Sequence, residues 1–202
     1  LLVAAIALLN ASKPPTWHVA ALPSMFALFY VLLAPFVGAF ADAVPKGKVM
    51  FVSNAIKVVG CLMMAFGAHP LLAYAIVGLG AAAYSPAKYG IVTELLPPEQ
   101  LVVANGWIEG LTVISIILGF LLGGVLISPK ISAWLLAFDM PMVDLEIDHP
   151  AESAIAVIAG IYVAAAFVNI LIPDTGARYA KQHVHPWKLL VGFAHCCSVL
   201  WR

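Results

Sequence analysis

The sequence predicts an all-α membrane protein, a bundle of six transmembrane helices whose first member is incomplete, and three observations carry that prediction. Hydrophobic residues make up 63% of the 202-residue chain and charged residues 10%, where soluble domains carry roughly 25% charged residues. The apolar residues fall into runs of about 20, the length that crosses a ~30 Å hydrocarbon core as a helix. Lysine and arginine collect on alternate connections between those runs. The formal net charge is zero, so the bulk charge gives no footing for nucleic acid.

Taken in order, Leu1 to Leu9 is apolar, but at 1.5 Å per residue it reaches less than half of the way across the core. It reads as the tail of a helix that starts upstream. A signal peptide is the competing reading, and neither a charged leading region nor a small-residue cleavage site precedes Pro14-Pro15. Complete spans are predicted at about 20–40, 49–67, 70–92, 102–127 and 153–172. Their connections are Asn10 to Val19, Ala41 to Lys48, a tight turn at Ala68-His69-Pro70, a Pro97-Pro98 hinge flanked by Glu94 and Glu99, and an acidic stretch from Ser128 to Glu152. Residues 1–172 thus form the helical bundle and 173–202 a linker. In the linker Lys188, His195 and Arg202 recur every seven residues beside Trp187, Val191, Ala194 and Trp201, the pattern of an amphipathic interfacial helix.

Charge placement predicts orientation. With Ala41 to Lys48 inside, the inner side holds Lys46, Lys48, Lys88, Arg178, Lys181, Lys188 and Arg202, and the outer side only Lys13 and Lys130, so the linker tail faces the cytoplasm. Small residues four apart, Ala34 and Gly38, Gly106 and Gly110, Gly119 and Gly123, predict close helix packing in lipid. Pro23, Pro35 and Pro86 fall inside helices, where proline kinks the helix or frees a carbonyl. Pro86 stands two residues before Lys88, the place where a kink serves a site best.

The ionisable residues within the spans are the candidate site, because a charge in hydrocarbon is costly. Lys57 lies eight residues into its predicted helix, about 12 Å deep, and Glu109 seven residues into its own, about 10 Å, while Lys88 is near an inner helix end. Each belongs to a polar stripe at helical spacing: Asn54, Lys57 and Cys61; Tyr84 and Lys88; Asn105, Glu109 and Thr112. Two lysines against one glutamate leave an excess of positive charge that suits a phosphate head group. The alternative is that Lys88 snorkels to the interface and Glu109 pairs with it to hold two helices together.

Enzymatic and metal readings find little support. No histidine has an aspartate five residues later, as phospholipid acyltransferases commonly do, and Ser85 lacks the glycines of a nucleophile elbow. A calcium loop starting at Asp144 would need Gly at His149 and Glu at Ile155. His183, His185 and His195 with Cys196 and Cys197 fit the amphipathic helix better than a metal site. Neighbouring cysteines rarely bridge, and Cys61 lies in an apolar run, so no disulfide framework, metal or cofactor is predicted.

The connection Gly38-Ala39-Phe40-Ala41-Asp42-Ala43-Val44-Pro45-Lys46-Gly47-Lys48 is the most patterned. Glycine allows close approach, aspartate can cap a helix and the lysines meet the inner leaflet. It resembles the loop signature of the major facilitator superfamily, with Gly38, Asp42, Lys46 and Lys48 as its conformational motif. Together with Gly38 to Met50, Gly78 to Glu94 (including Gly80-Ala81-Ala82-Ala83-Tyr84-Ser85-Pro86-Ala87-Lys88-Tyr89-Gly90) and Asn105-Gly106-Trp107-Ile108-Glu109, it is similar to the bacterial lysophospholipid transporter family of that superfamily. The resemblance runs from Leu1 to Arg202. It implies the N-terminal six-helix half of a twelve-helix transporter that moves lysophosphatidylethanolamine and related lysolipids from the outer to the inner leaflet of the bacterial inner membrane. Reacylation there implies a functional link to an acyltransferase/acyl carrier protein synthetase, fused or separate. The family's first-helix Asp-Asn pair lies upstream of Leu1, and the second half is missing, so the fragment alone is expected to be inactive. The alternatives are a small-solute or drug exporter of the same superfamily and a non-transporting membrane scaffold.

Overall fold

The computed structural model describes the chain except residues 12–14, 16, 137–148, 177–185 and 201–202. The acidic residues Asp139, Asp144, Glu146 and Asp148, together with Lys13, Arg178, Lys181, His183, His185 and Arg202, lie outside the described residues. Among the described residues eight helices follow in order: α1 Leu2–Ala11, α2 Trp17–Ala43, α3 Lys46–Ala65, α4 Pro70–Leu95, α5 Pro98–Ile127, α6 Pro129–Leu136, α7 Pro150–Ile170 and α8 Pro186–Leu200. No strand occurs among the described residues. Helices α2, α3, α4, α5 and α7 are long and apolar enough to cross a membrane, and α1 is shorter but apolar.

Helix starts are set by proline. Five helices, α4 to α8, have proline as their first residue, where its fixed φ suits the helix and its missing N–H was unpaired anyway. At α4 and α7 a histidine precedes that proline and caps the helix, His69 Nδ1 accepting from Leu71 N and His149 Nδ1 from Ala151 N, both at 3.3 Å. At α7 the Glu152 carboxylate in turn accepts from His149 N, which satisfies a further amide. Helix α3 is closed just beyond its end by Gly67, with φ of 78°. There Gly67 N donates to Met64 O and Ala68 N to Met63 O, closing the helix in the manner only a left-handed residue permits.

These ends correct the sequence boundaries, which began α3, α5 and α7 three or four residues late. Hydropathy marks the hydrocarbon-facing part of a helix, and the first turns carry Lys46, Glu99 and Glu152. Helix α6, inside the predicted acidic connection, was not anticipated.

Helix α4 is the centre of the bundle, packed between α2 and α3, and α3 packs in turn on α7. Glycines set these approaches. A Cβ on Gly78 would lie 2.3 Å from Phe26 O of α2, one on Gly80 2.6 Å from Ser53 O of α3, and one on Gly60 2.6 Å from Val77 Cγ2 of α4. In lipid, where hydrophobicity does not drive helices together, such backbone proximity supplies the dispersion contacts that do. The small-residue pairs singled out by spacing behave otherwise: a Cβ on Gly38, Gly106, Gly110 or Gly119 meets nothing within 4 Å, and only Gly123 touches a neighbour, Val3. One core joins α1, α2, α3, α4, α5 and α7 around Leu9, Leu22, Met64, Tyr74 and Ile155. A smaller one joins Ala41, Val49, Met50 and Ala87 at the α2–α3 connection.

Candidate functional site

The α2–α3 connection is built around Lys46. Helix α2 runs through Asp42 to Ala43 and α3 starts at Lys46 with Pro45 as its N-cap, so Asp42 caps nothing; its carboxylate instead accepts from Lys46 Nζ at 2.8 Å. Lys46 Nζ also donates to Ala41 O at 2.7 Å and lies 3.6 Å from Glu94 Oε1 of α4. The second oxygen of Glu94 accepts from Thr175 Oγ1 at 2.6 Å. Lys46 is 5% exposed, which corrects the expectation that both lysines meet the inner leaflet: Lys48 is exposed and Lys46 is inside. Its aliphatic stem fits over Gly90, where a Cβ would come within 3.1 Å of Lys46 Cε. Breaking such a buried pair from one side costs about 3–5 kcal/mol because it leaves a charge in a poor solvent.

The intramembrane charges divide into three groups. Lys57 is held inside: Nζ donates to Asn54 Oδ1 at 3.1 Å and sits 4.3 Å from the Tyr84 ring centroid and 5.5 Å from that of Tyr162. Two aromatic faces and one amide oxygen are a neutral substitute for a counter-ion. Asn54 is 3% exposed and Cys61, a turn on, is buried. Lys88, on α4, donates to Thr112 Oγ1 of α5 at 2.9 Å, and Thr112 Oγ1 in turn donates to Ile108 O at 2.7 Å. The ammonium also lies 4.9 Å from the Tyr89 ring centroid. Glu109 faces outward and accepts from Tyr89 OH, and Asn105 is exposed on the same stretch of α5. Among the described residues neither lysine pairs with Glu109, so the three charges do not form one network.

What the geometry does bring together is Tyr84, Lys88 and Thr112. They line an open groove between α4 and α5, with Ile108, Ser115 and Ile116 among its other walls. Lys88 carries three donors and spends one on Thr112; no carboxylate balances it among the described residues. Tyr84 stands between the two lysines, its ring centroid 4.3 Å from Lys57 Nζ and the residue itself lining the groove beside Lys88. Helix α4 continues through Pro86. In the turn before it Ser85 Oγ donates to Ala81 O at 3.2 Å and lies 3.3 Å from Tyr30 OH of α2.

Residues 4–192 match the family model of the Major Facilitator Superfamily. The chain belongs to that superfamily. The lysophospholipid transporter LplT of Yersinia enterocolitica is 41% identical to it over 202 residues. The proteins of that name from Serratia proteamaculans and Yersinia pestis are 40% and 39% identical. All of this chain is covered in each case, but only 45%, 46% and 45% of the relatives, so the chain spans about half the length of the curated relatives it matches. No solved structure matches it. As a superfamily member the protein is an all-α, multi-pass membrane protein, and its Gly38 to Lys48 connection is the Lys46-centred junction described above.

Several residues of the site escaped the sequence reading. Ser115 was within reach of it, because it extends the Asn105, Glu109, Thr112 stripe by three residues. Glu94 was placed beside the Pro97-Pro98 hinge and at the end of the Gly78 to Glu94 segment, but nothing in the sequence joined it to Lys46 or to Thr175, 81 residues away. Tyr162 sits in an apolar run where a tyrosine ordinarily reads as interfacial or core.

Proposed function

We propose that this chain forms part of a transporter of lysophospholipids, lysophosphatidylethanolamine foremost, carrying them from the outer to the inner leaflet of a bacterial inner membrane for reacylation by an acyltransferase/acyl carrier protein synthetase. The observation that carries the reading is Lys88, an ammonium without a carboxylate partner among the described residues, lining an open groove between two spanning helices. A lipid phosphate supplies the missing anion, and charge-assisted hydrogen bonds to it are about twice as strong as neutral ones. The names and identities of the relatives support the same substrate class. In a transporter of two halves the pathway lies between them. Uptake of lysophosphatidylethanolamine is therefore expected from a full-length transporter carrying these helices and not, above empty membranes, from the 202-residue chain alone. Equal uptake by the two would refute the two-half pathway, and no uptake by either would refute the substrate.

The proposed orientation puts the Lys46 junction and the linker in the cytoplasm and the stretch from Asp139 to Glu152 in the periplasm. In a background with Cys61, Cys196 and Cys197 replaced, a single cysteine between Asp139 and Glu152 is expected to react with an impermeant thiol reagent added outside intact cells, and one at Pro45 only after the membrane is opened. The reverse pattern would invert the topology.

A further inference from the structure

Lys88 and Glu109 carry opposite charges on adjoining helices, yet they do not neutralise each other. Thr112 of α5 accepts from Lys88 Nζ at 2.9 Å, and Tyr89 OH of α4 donates to Glu109 Oε1. Each charge is thus held by a neutral hydroxyl. Tyr89 touches both, because its ring centroid lies 4.9 Å from Lys88 Nζ while its hydroxyl holds the carboxylate. On α5, Glu109, Thr112 and Ile116 recur at i, i+3 and i+7, so Glu109 continues the face that walls the Lys88 groove. It stands about 4.5 Å along the helix axis from Thr112, toward the start of α5. A carboxylate offers about four acceptor sites, and among the described residues Glu109 gives one to a phenol and none to a cation. Within a spanning helix that is a costly way to keep a charge.

We propose that Glu109 is a specificity-determining residue for the lipid head group, receiving the ammonium of the ethanolamine arm while Lys88 receives the phosphate. The proposal rests on the lysophospholipid reading above and adds to it how the head group is chosen. Lysophosphatidylethanolamine is a zwitterion, and a short two-carbon arm joins its phosphate to its ammonium. An arm of that length spans about one helical turn, the step from the Lys88–Thr112 contact to Glu109. The two hydroxyls keep the protein's own charges apart, so both poles of the head group find a partner at once without first breaking an ion pair. The ammonium has three N–H donors for the carboxylate, and the exposed Tyr89 ring offers it an aromatic face. A glycerol head group has no charge to set against Glu109.

The test uses a full-length transporter carrying these helices, reconstituted in vesicles and given lysophosphatidylethanolamine and lysophosphatidylglycerol of the same acyl chain. The quantity read is the ratio of the two uptakes, which is internal to one preparation and so survives a variant that inserts poorly. Glu109→Gln is expected to lower the ethanolamine-to-glycerol ratio about fivefold, the upper end of what an exposed ion pair contributes. Glu109→Asp, which keeps the charge on a shorter arm, should lower it less. Lys88→Met should reduce both uptakes together, because both lipids carry the phosphate. If Glu109 serves only to hold Tyr89, or a cation elsewhere in the full-length protein, Glu109→Gln would lower both uptakes equally. That result, an unchanged ratio, or a fall in the ratio for Lys88→Met as large as for Glu109→Gln would overturn the ammonium site and leave the substrate reading standing. Failure of the unsubstituted transporter to take up either lipid would overturn both.

Discussion

Replacing Lys88 by methionine in a full-length transporter carrying these helices is expected to reduce lysophosphatidylethanolamine uptake by a factor on the order of 10 to 100, the value of one hydrogen bond to a charged group. Methionine keeps the apolar length of the side chain. Thr112, the protein partner, still has Ile108 O as acceptor, so the change leaves no buried hydroxyl stranded and the bundle should assemble. Uptake is measured at equal membrane abundance. Glu109→Gln gives the contrast: Glu109 faces outward and holds Tyr89, and an amide oxygen accepts that bond too, so its loss should be several-fold smaller. Near-normal uptake by Lys88→Met would remove the lysine from the substrate path. A Glu109→Gln defect as deep as that of Lys88→Met would show that the two charges act together despite their different neighbours.

The second large effect is structural. Gly78→Val is expected to prevent stable assembly, because its Cβ alone would stand 2.3 Å from Phe26 O, closer than any carbon–oxygen contact allows. Helix α2 would have to withdraw from α4 along one of the principal contacts of the bundle. Overpacking of a core by side chains costs about 1–3 kcal/mol, and a clash with backbone, which has no rotamer to change, belongs at or above the top of that range. Gly160→Ala on α7, where a Cβ meets nothing within 4 Å, should be neutral or slightly stabilising by the ordinary helix preference for alanine. Thermal unfolding in detergent, followed by retention of the monodisperse peak, separates the two. An unaltered midpoint for Gly78→Val would mean that α2 and α4 are farther apart than the structure has them.

The sequence announced the fold class and the spans because lipid imposes them: a chain this apolar has few ways to satisfy its backbone other than as helices. Height within the membrane was legible too, since residue number along a helix measures it. Azimuth was not. Lys57 and Glu109 were given similar depth, but Lys57 points into the α3, α4 and α7 packing and Glu109 points out of α5, a difference that spacing within one helix cannot register. The same gap hid the closest glycine approaches. A four-residue repeat shows that small residues share a face, and on α5 Gly123 of that face meets Val3, while Gly60, Gly78 and Gly80 meet other backbones or side chains without forming the expected repeat. At the α2–α3 connection the error was of length. The loop was read as eight residues, Ala41 to Lys48, but the helices close over it until little more than Val44 and Pro45 remain. Asp42 and Lys46 are thereby brought to i and i+4 positions across the corner, where they pair.

The partners of Lys46 are spread widely along the chain. A chain made from its N-terminus supplies Asp42 and the Ala41 carbonyl first. Glu94 follows when α4 is complete, and Thr175, the residue that ties the second oxygen of Glu94, is supplied only after α7 has been made. Until then the lysine belongs to an unfinished corner whose charge is more easily kept near water than drawn inward. Its burial, at 5% exposure, thus draws on α2, α4 and, through Glu94, on the segment that follows α7. The junction therefore ties residues from the second helix, the fourth and the segment after α7 into one hydrogen-bonded corner.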